Sequence, residues 1–143
     1  MDQTTIANAQ RLIQLIDCMR ANQPRSPLFQ QLGEWGLSMS HVRLLGLLAP
    51  DRELSMRELA EALGITPPSL TALTRRLVQN GLIERRPHPD DSRITLLALS
   101  EAGCKFHRDL ETERLEHMAR LLAGLSHAEQ QLFLDLLERA MRT

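Results

Sequence analysis

Residues 55–81 have the sequence SMRELAEALGITPPSLTALTRRLVQNG, and this stretch decides the fold of the chain. Ser55 and Glu58 have the spacing of a capping box, in which a hydroxyl and a carboxylate each accept a backbone N–H at the start of a helix. Gly64 suits the left-handed position that ends a helix. Thr66 suits the N-cap of a second helix. The stretch therefore predicts two short helices that meet at a tight turn.

The second helix of this pair is predicted to begin at Pro67, because the missing N–H of a proline costs nothing in the first helical turn. Pro68 removes another donor, so we expect Thr66 to accept a hydrogen bond from the Ser69 N–H. Its buried stripe is predicted to consist of Leu70, Leu73 and Leu77.

Residues 82–99, LIERRPHPDDSRITLLAL, are predicted to form a β-hairpin with a basic, proline-bearing tip. A helix-turn-helix followed by such a hairpin is the outline of a winged-helix DNA-binding unit, whose second helix enters the major groove. The predicted fold class is therefore mainly α, a winged helix-turn-helix with a small β-hairpin wing.

The composition fits one ordinary globular domain of 143 residues with 43% apolar side chains. No apolar run approaches the roughly 20 residues of a membrane span, and no secretory signal is visible at the N-terminus. We therefore expect a cytoplasmic protein without a membrane partner. No nucleophile elbow, phosphate loop or metal-ligand cluster is present, so neither an enzyme nor a cofactor is predicted.

The charge of the chain is unevenly distributed. The formal net charge is −1, which is not typical of a nucleic-acid-binding protein. Residues 66–100, however, contain five arginines against three acidic residues, a local balance of +2. A focused basic surface of this kind is compatible with DNA binding, although a small imbalance is also common on solvated faces.

The terminal segments are predicted to be amphipathic helices. Residues 4–20 have a broad apolar face, Ser100 is expected to cap a long helix over residues 101–123, and Ser126 and Glu129 form a second capping box before a last apolar helix. These faces exceed what a winged unit needs, so they indicate a dimer interface, or alternatively one closed monomeric core. We expect one domain, residues 1–143, in which residues 37–100 are the winged lobe and residues 1–36 and 101–143 form a helical dimerisation lobe.

Three motifs in order, NGLIERR at residues 80–86, PDDSR at residues 89–93 and ALSEAG at residues 98–103, resemble the MarR family of bacterial regulators. The resemblance covers about residues 35–143. It implies a triangular helical homodimer with one winged helix-turn-helix per subunit. It also implies a repressor that releases DNA when a small phenolic or other effector, or an oxidant, acts on it. Two recognition helices about 34–36 Å apart would require a palindromic operator in double-stranded DNA.

The resemblance also assigns residues at the DNA. Arg93 is similar to the wing arginine that enters the minor groove, and Asp91 to the carboxylate that orients it. Arg75 is a candidate for guanine contact, while a solvated charge remains the alternative for it and for Arg76. Ala72 stands where many members have arginine. The full predicted contact set is Ser55, Thr66, Pro68, Ser69, Thr71, Ala72, Arg75, Arg76, Arg86, Asp91 and Arg93.

The sequence gives few indications of what the protein senses. The family resemblance implies an effector pocket between the two lobes, for which Phe29, Trp35, Met39 and His41 are candidate wall residues or plain packing. Cys18 lies near the position of reactive cysteines in peroxide-sensing members, but the chain has no tyrosine and a buried small hydrophobe is favoured. His41, His107 and His117 do not fall on the ligand positions of metal-sensing members of the family, so surface or core histidines are favoured. A winged-helix protein-interaction module without DNA affinity remains the alternative function.

Overall fold

The computed structural model describes residues 2–21 and 26–142. Its elements confirm the predicted mainly helical fold with a small sheet. The helices within these residues are α1 (Gln3–Ala21), α2 (Pro27–Glu34), α3 (Met39–Leu48), α4 (Met56–Leu63), α5 (Pro67–Gln79), α6 (Glu101–Leu122) and α7 (His127–Met141). The strands are β1 (Leu54–Ser55), β2 (Ile83–Pro87) and β3 (Thr95–Leu99).

The boundaries of the helix-turn-helix follow the local rules of helix capping. The Ser55 Oγ accepts the Glu58 N–H at 3.2 Å, and the Glu58 carboxylate accepts the Ser55 N–H at 2.7 Å. Gly64 ends α4 with a φ of 64°. The Thr66 Oγ1 accepts the Ser69 N–H at 3.4 Å, as expected for a helix that begins with two prolines. These caps confirm the predicted pair of helices.

The core lies beneath this pair, where α3, α4, α5, the sheet and the start of α6 meet. Leu70 and Leu77 are fully buried, but Leu73 is only partly buried, which corrects the predicted stripe of α5. Thr74 takes the fully buried place, and its hydroxyl donates to the Thr71 carbonyl at 3.1 Å. A buried hydroxyl is tolerated because this bond satisfies its donor. The other fully buried leucines are Leu44, Leu45, Leu48, Leu59, Leu82, Leu97 and Leu110.

The sheet has three antiparallel strands in the order β1-β3-β2. Ile83 pairs with Leu99 and Pro87 with Thr95, so β2 and β3 form the predicted hairpin. β1 was not predicted, because two residues are too short for a recognisable strand pattern. It exists because Leu54 pairs with Leu97 on the free edge of β3. Residues 96–99 are all buried, because β3 is central in the sheet and also contacts α3, α4 and α6.

The junction between the sheet and α6 is closely packed around Gly103. A Cβ on Gly103 would lie only 1.8 Å from the backbone oxygen of Leu82. The Ser100 Oγ accepts the Gly103 N–H at 3.0 Å and donates to the Gly81 carbonyl at 2.5 Å. The start of α6 is therefore held directly against the segment that joins α5 to β2.

The terminal helices α1 and α7 contain no buried residue in the single chain. This argues against the alternative of one closed monomeric core, because their apolar faces are left open to solvent. None of the helices within residues 2–21 and 26–142 combines the length and the apolarity needed to cross a bilayer. The exposed apolar residues of α1 and α7 are Ile6, Leu12, Ile13, Leu15, Ile16, Met19, Leu132, Phe133, Leu134, Leu136, Leu137 and Met141.

Candidate nucleic-acid interface

The outer face of α5 is polar and open to solvent. The Thr66 and Ser69 hydroxyls lie 2.9 Å apart at its N-terminus, and the Thr71 hydroxyl donates to the Pro67 carbonyl at 3.0 Å. One of the Thr66 and Ser69 hydroxyls donates to the other, so the second keeps its hydrogen for an external acceptor, whereas the Thr71 hydroxyl must release the Pro67 carbonyl before it can donate elsewhere. A helix N-terminus with exposed hydroxyls can contact phosphate oxygens. The predicted contact residues of α5 that are exposed are Thr66, Pro68, Ser69, Thr71, Ala72, Arg75 and Arg76.

Arg93 lies at the tip of the wing, where it donates three hydrogen bonds to the Asp91 carboxylate. The Asp91 Oδ1 accepts the Arg93 backbone N–H at 3.0 Å and its Nε–H at 3.1 Å, while Oδ2 accepts from Nη2 at 3.1 Å. These bonds hold the pKa of Asp91 below its ordinary value. The Arg93 side chain is nevertheless 89% exposed. The guanidinium is thus oriented by a charged carboxylate while one side remains available to a second anion.

Arg86, which the sequence analysis included among the DNA contacts, is paired with two carboxylates. Its Nη1 lies 2.5 Å from Glu53 and its Nη2 lies 2.5 Å from Glu84. Both carboxylates raise the pKa of Arg86. The guanidinium therefore links the segment before β1 to β2, so Arg86 is not an unpaired cation that faces DNA, and we leave it out of the proposed contacts.

Arg85 is an exposed cation that the sequence analysis left out of the contact set. Side chains alternate along a strand, so Arg85 and Arg86 project from opposite faces of β2. Among the described residues, the carboxylates that pair with Arg86 have no counterpart at Arg85. Strand alternation was the signal that could have separated the two arginines. Arg85 therefore adds positive charge to the solvent-exposed surface of the wing hairpin.

His41 is a buried capping residue and not a cavity wall. Its Nδ1 accepts the Ser38 backbone N–H at 2.9 Å and lies 2.9 Å from the Ser38 hydroxyl. Burial, and then the charge of Arg76, lower the pKa of His41 below its ordinary 6.5. The neutral ring is the form that can accept the Ser38 N–H.

This pKa shift predicts a pH-dependent stability. Because the unfolded chain binds a proton at His41 more readily than the folded chain, the free energy of unfolding should fall as the pH drops below about 6.5. Urea unfolding at pH 7.5 and 5.5 measures it. His41→Gln keeps a capping acceptor without titrating and should show a smaller loss, whereas His127→Gln, at an exposed position, should match the wild type. Equal losses in all three proteins would contradict the assignment.

A cavity of about 560 Å³ lies between the α1 end, the start of α2, the start of α3 and α6. Two of the predicted wall residues, Phe29 and Met39, line it. Trp35 does not, because its ring packs against Phe106 with the centroids 5.2 Å apart. The lining residues that the sequence analysis missed are Arg20, Ser26, Glu113, Arg114, Glu116, His117, Met118 and Arg120.

Cys18 lies on the exposed surface of α1 in the single chain, and not in a buried position as expected. Its redox activity stays a prediction. No group of three or more His, Cys, Asp or Glu within residues 2–21 and 26–142 is arranged to hold a metal ion.

Comparison with known proteins places the chain in a family. Residues 35–94 match the profile of the MarR family. The HTH-type transcriptional regulator YdgJ of Bacillus subtilis is 33% identical over 104 residues, which cover 73% of this chain and 63% of YdgJ. The regulator Mb0904 of Mycobacterium bovis is 30% identical over 80% of this chain and 73% of that protein.

The fold is shared along the whole chain. The crystal structure of YusO from Bacillus subtilis superposes with a TM-score of 0.81 and 21% identity, covering 100% of this chain and 99% of YusO. The profile match spans the helix-turn-helix and the wing arginine, and the regulators of this family are not enzymes. The chain belongs to the MarR family of HTH-type transcriptional regulators.

Proposed function

We propose that the chain is a repressor that binds a palindromic operator as a homodimer and leaves it when a small molecule binds. The observation that carries the proposal is the exposed Arg93, which Asp91 holds at the tip of the wing. Family membership supports it, since MarR-family regulators bind DNA, act as dimers and bind small-molecule ligands.

The winged lobe, residues 37–100, supplies the DNA contacts. The first turn of α5, with Thr66, Ser69 and Thr71, meets phosphates and base edges in the major groove, and Arg75 follows one turn later. Arg93 reaches the adjacent minor groove, where a narrow A·T-rich segment concentrates negative potential. The chain thus contacts DNA through α5 and the wing, which pack on the same hydrophobic core.

The dimerisation lobe, residues 1–36 and 101–143, supplies the second copy. The apolar faces of α1 and α7 are uncovered in the single chain, and Leu115 and Met118 near the C-terminal end of α6 are also exposed. Contiguous apolar surfaces of this size mark protein interfaces. A two-fold axis through these helices presents two winged lobes to one duplex.

The effector site is the cavity next to α6. Phe29, Met39 and Met118 supply apolar walls, while Arg20, Arg120 and the α6 carboxylates supply charge. The Ser26 hydroxyl, which donates to the Glu113 carboxylate, closes one side. Such a site suits a small molecule with an apolar body and one polar or charged group.

The test is selection of bound sequences from random duplexes, followed by titration of the selected duplex at several salt concentrations. Arg93→Ala should weaken binding about tenfold and reduce the salt slope by about 2, because each of the two subunits on the duplex loses one positive charge. Arg142→Ala, which removes an exposed arginine that follows α7 and pairs with Glu138, is the matched control and should leave both quantities unchanged.

Two outcomes decide the proposal. Binding that weakens steeply with salt and selects a palindrome supports it. Absence of any salt-dependent duplex binding by the wild-type chain rejects it and favours a protein-interaction module. If the wild type binds but Arg93→Ala binds equally well, the assignment of the wing is wrong and the role of α5 stands.

A further inference from the structure

The guanidinium of Arg76, from the recognition helix α5, contacts the turn between α2 and α3. Gly36 forms this turn with a φ of 64°, and its N–H donates to the Gly33 carbonyl at 3.0 Å. A Cβ on Gly36 would lie 2.6 Å from the Arg76 Nη1, 3.2 Å from its Cζ and 3.8 Å from its Nε. The guanidinium therefore lies in the space that the Cβ of any other residue at position 36 would need.

The surroundings of Arg76 identify this contact as structural. The neighbouring His41 accepts the Ser38 N–H at the start of α3, and the charge of Arg76 acts on its ring. Among the described residues, the ion pairs include no carboxylate partner for Arg76. Its position is thus set by packing on the α2–α3 turn, about 40 residues away in sequence, and not by an acidic neighbour.

We infer that Arg76 is a positioning residue, which fixes the C-terminal half of α5 against the α2–α3 turn and thereby sets the angle at which α5 meets DNA. The inference rests on the proposed function and changes the assignment of Arg76 from the DNA-contact set to the support of that set. Arg75 is its counterpart, because it is one residue away, about 100° around the helix. Both side chains are exposed, and the contact with Gly36 is what distinguishes Arg76, so Arg75 remains the candidate DNA contact.

The chemistry of the contact separates arginine from lysine. A guanidinium extends the side chain with a planar group that carries two Nη atoms, whereas the lysine ammonium is a compact, strongly hydrated charge. A phosphate contact depends mainly on charge, so lysine would replace arginine there with little loss. The contact with Gly36 is made by Nη1 and Cζ at the end of the arginine side chain, and lysine has no Nη atom to make it.

The first experiment measures affinity of the full chain for the selected duplex as a function of salt. Arg76→Ala and Arg76→Lys should both weaken binding about three- to tenfold with the salt slope unchanged. Arg75→Ala, the matched control, should reduce the slope by about 2, because each subunit of the homodimer loses one charge at the DNA. Wild-type affinity of Arg76→Lys, or a slope reduced by Arg76→Ala, would overturn the inference while leaving the proposed function intact.

The second experiment is a double-mutant cycle between Gly36→Ala and Arg76→Ala, read out by urea unfolding and by DNA affinity. Gly36→Ala displaces the guanidinium and also strains the left-handed turn, and only the first effect vanishes when Arg76 is already alanine. The two substitutions should therefore be less than additive in both readouts. Additive effects overturn the contact itself, and a wild-type chain that binds no duplex overturns both the proposed function and the positioning role.

Discussion

Gly103→Ala is expected to destabilise the chain by about 3 kcal/mol, which corresponds to a fall in melting temperature of about 10 °C. The added methyl group would lie 1.8 Å from the Leu82 carbonyl oxygen, and neither atom belongs to a flexible side chain. The start of α6 must therefore move away from the sheet, which also breaks the hydrogen bond from the Ser100 hydroxyl to the Gly81 carbonyl. Thermal unfolding followed by circular dichroism measures the effect.

The chain supplies a matched control for this substitution. Gly33 lies inside α2, and a Cβ there would meet nothing within 4 Å. Gly33→Ala should leave stability unchanged or raise it by up to about 1 kcal/mol, because alanine favours a helix interior more than glycine does. A Gly103→Ala protein that melts within 2 °C or so of the wild type would show that the junction relaxes freely, contrary to the close packing described above.

Leu132→Glu combined with Leu136→Glu is expected to convert the protein to a monomer and to weaken operator binding at least about 100-fold. The two side chains lie one helical turn apart on α7 and are 59% and 46% exposed in the single chain, so carboxylates there should be tolerated by the isolated fold. They would be buried without partners in a dimer. Losing the second winged lobe removes the gain from simultaneous binding of two half-sites.

Sedimentation equilibrium and duplex titration measure these two effects. Gln131→Glu adds a carboxylate to the polar side of the same helical turn and should remain dimeric with wild-type affinity. If the Leu132 and Leu136 double variant stays dimeric, the face of α7 is not the interface and the division into lobes must be revised. If it becomes monomeric but keeps full affinity, one winged lobe suffices and the palindromic operator is wrong.

The sequence by itself determined the local structure, because the interactions concerned join residues three or four positions apart. The capping boxes of Ser55 with Glu58 and of Ser126 with Glu129, and the left-handed Gly64, are of this kind. The Asp91 bond to Arg93 is equally local. These contacts place the helices and the wing tip, and with the family motifs they were enough to predict a winged helix-turn-helix.

Only the tertiary structure decided which side chains are engaged across the fold. Arg86 pairs with Glu53, Trp35 packs on Phe106, and Arg76 lies on Gly36. The partners in each pair are tens of residues apart, so no periodicity or spacing in the chain records them. The cavity is likewise assembled from four helices. Local hydrogen bonds can be predicted from the spacing of residues in the sequence. Contacts between distant segments form only when the core brings those segments together.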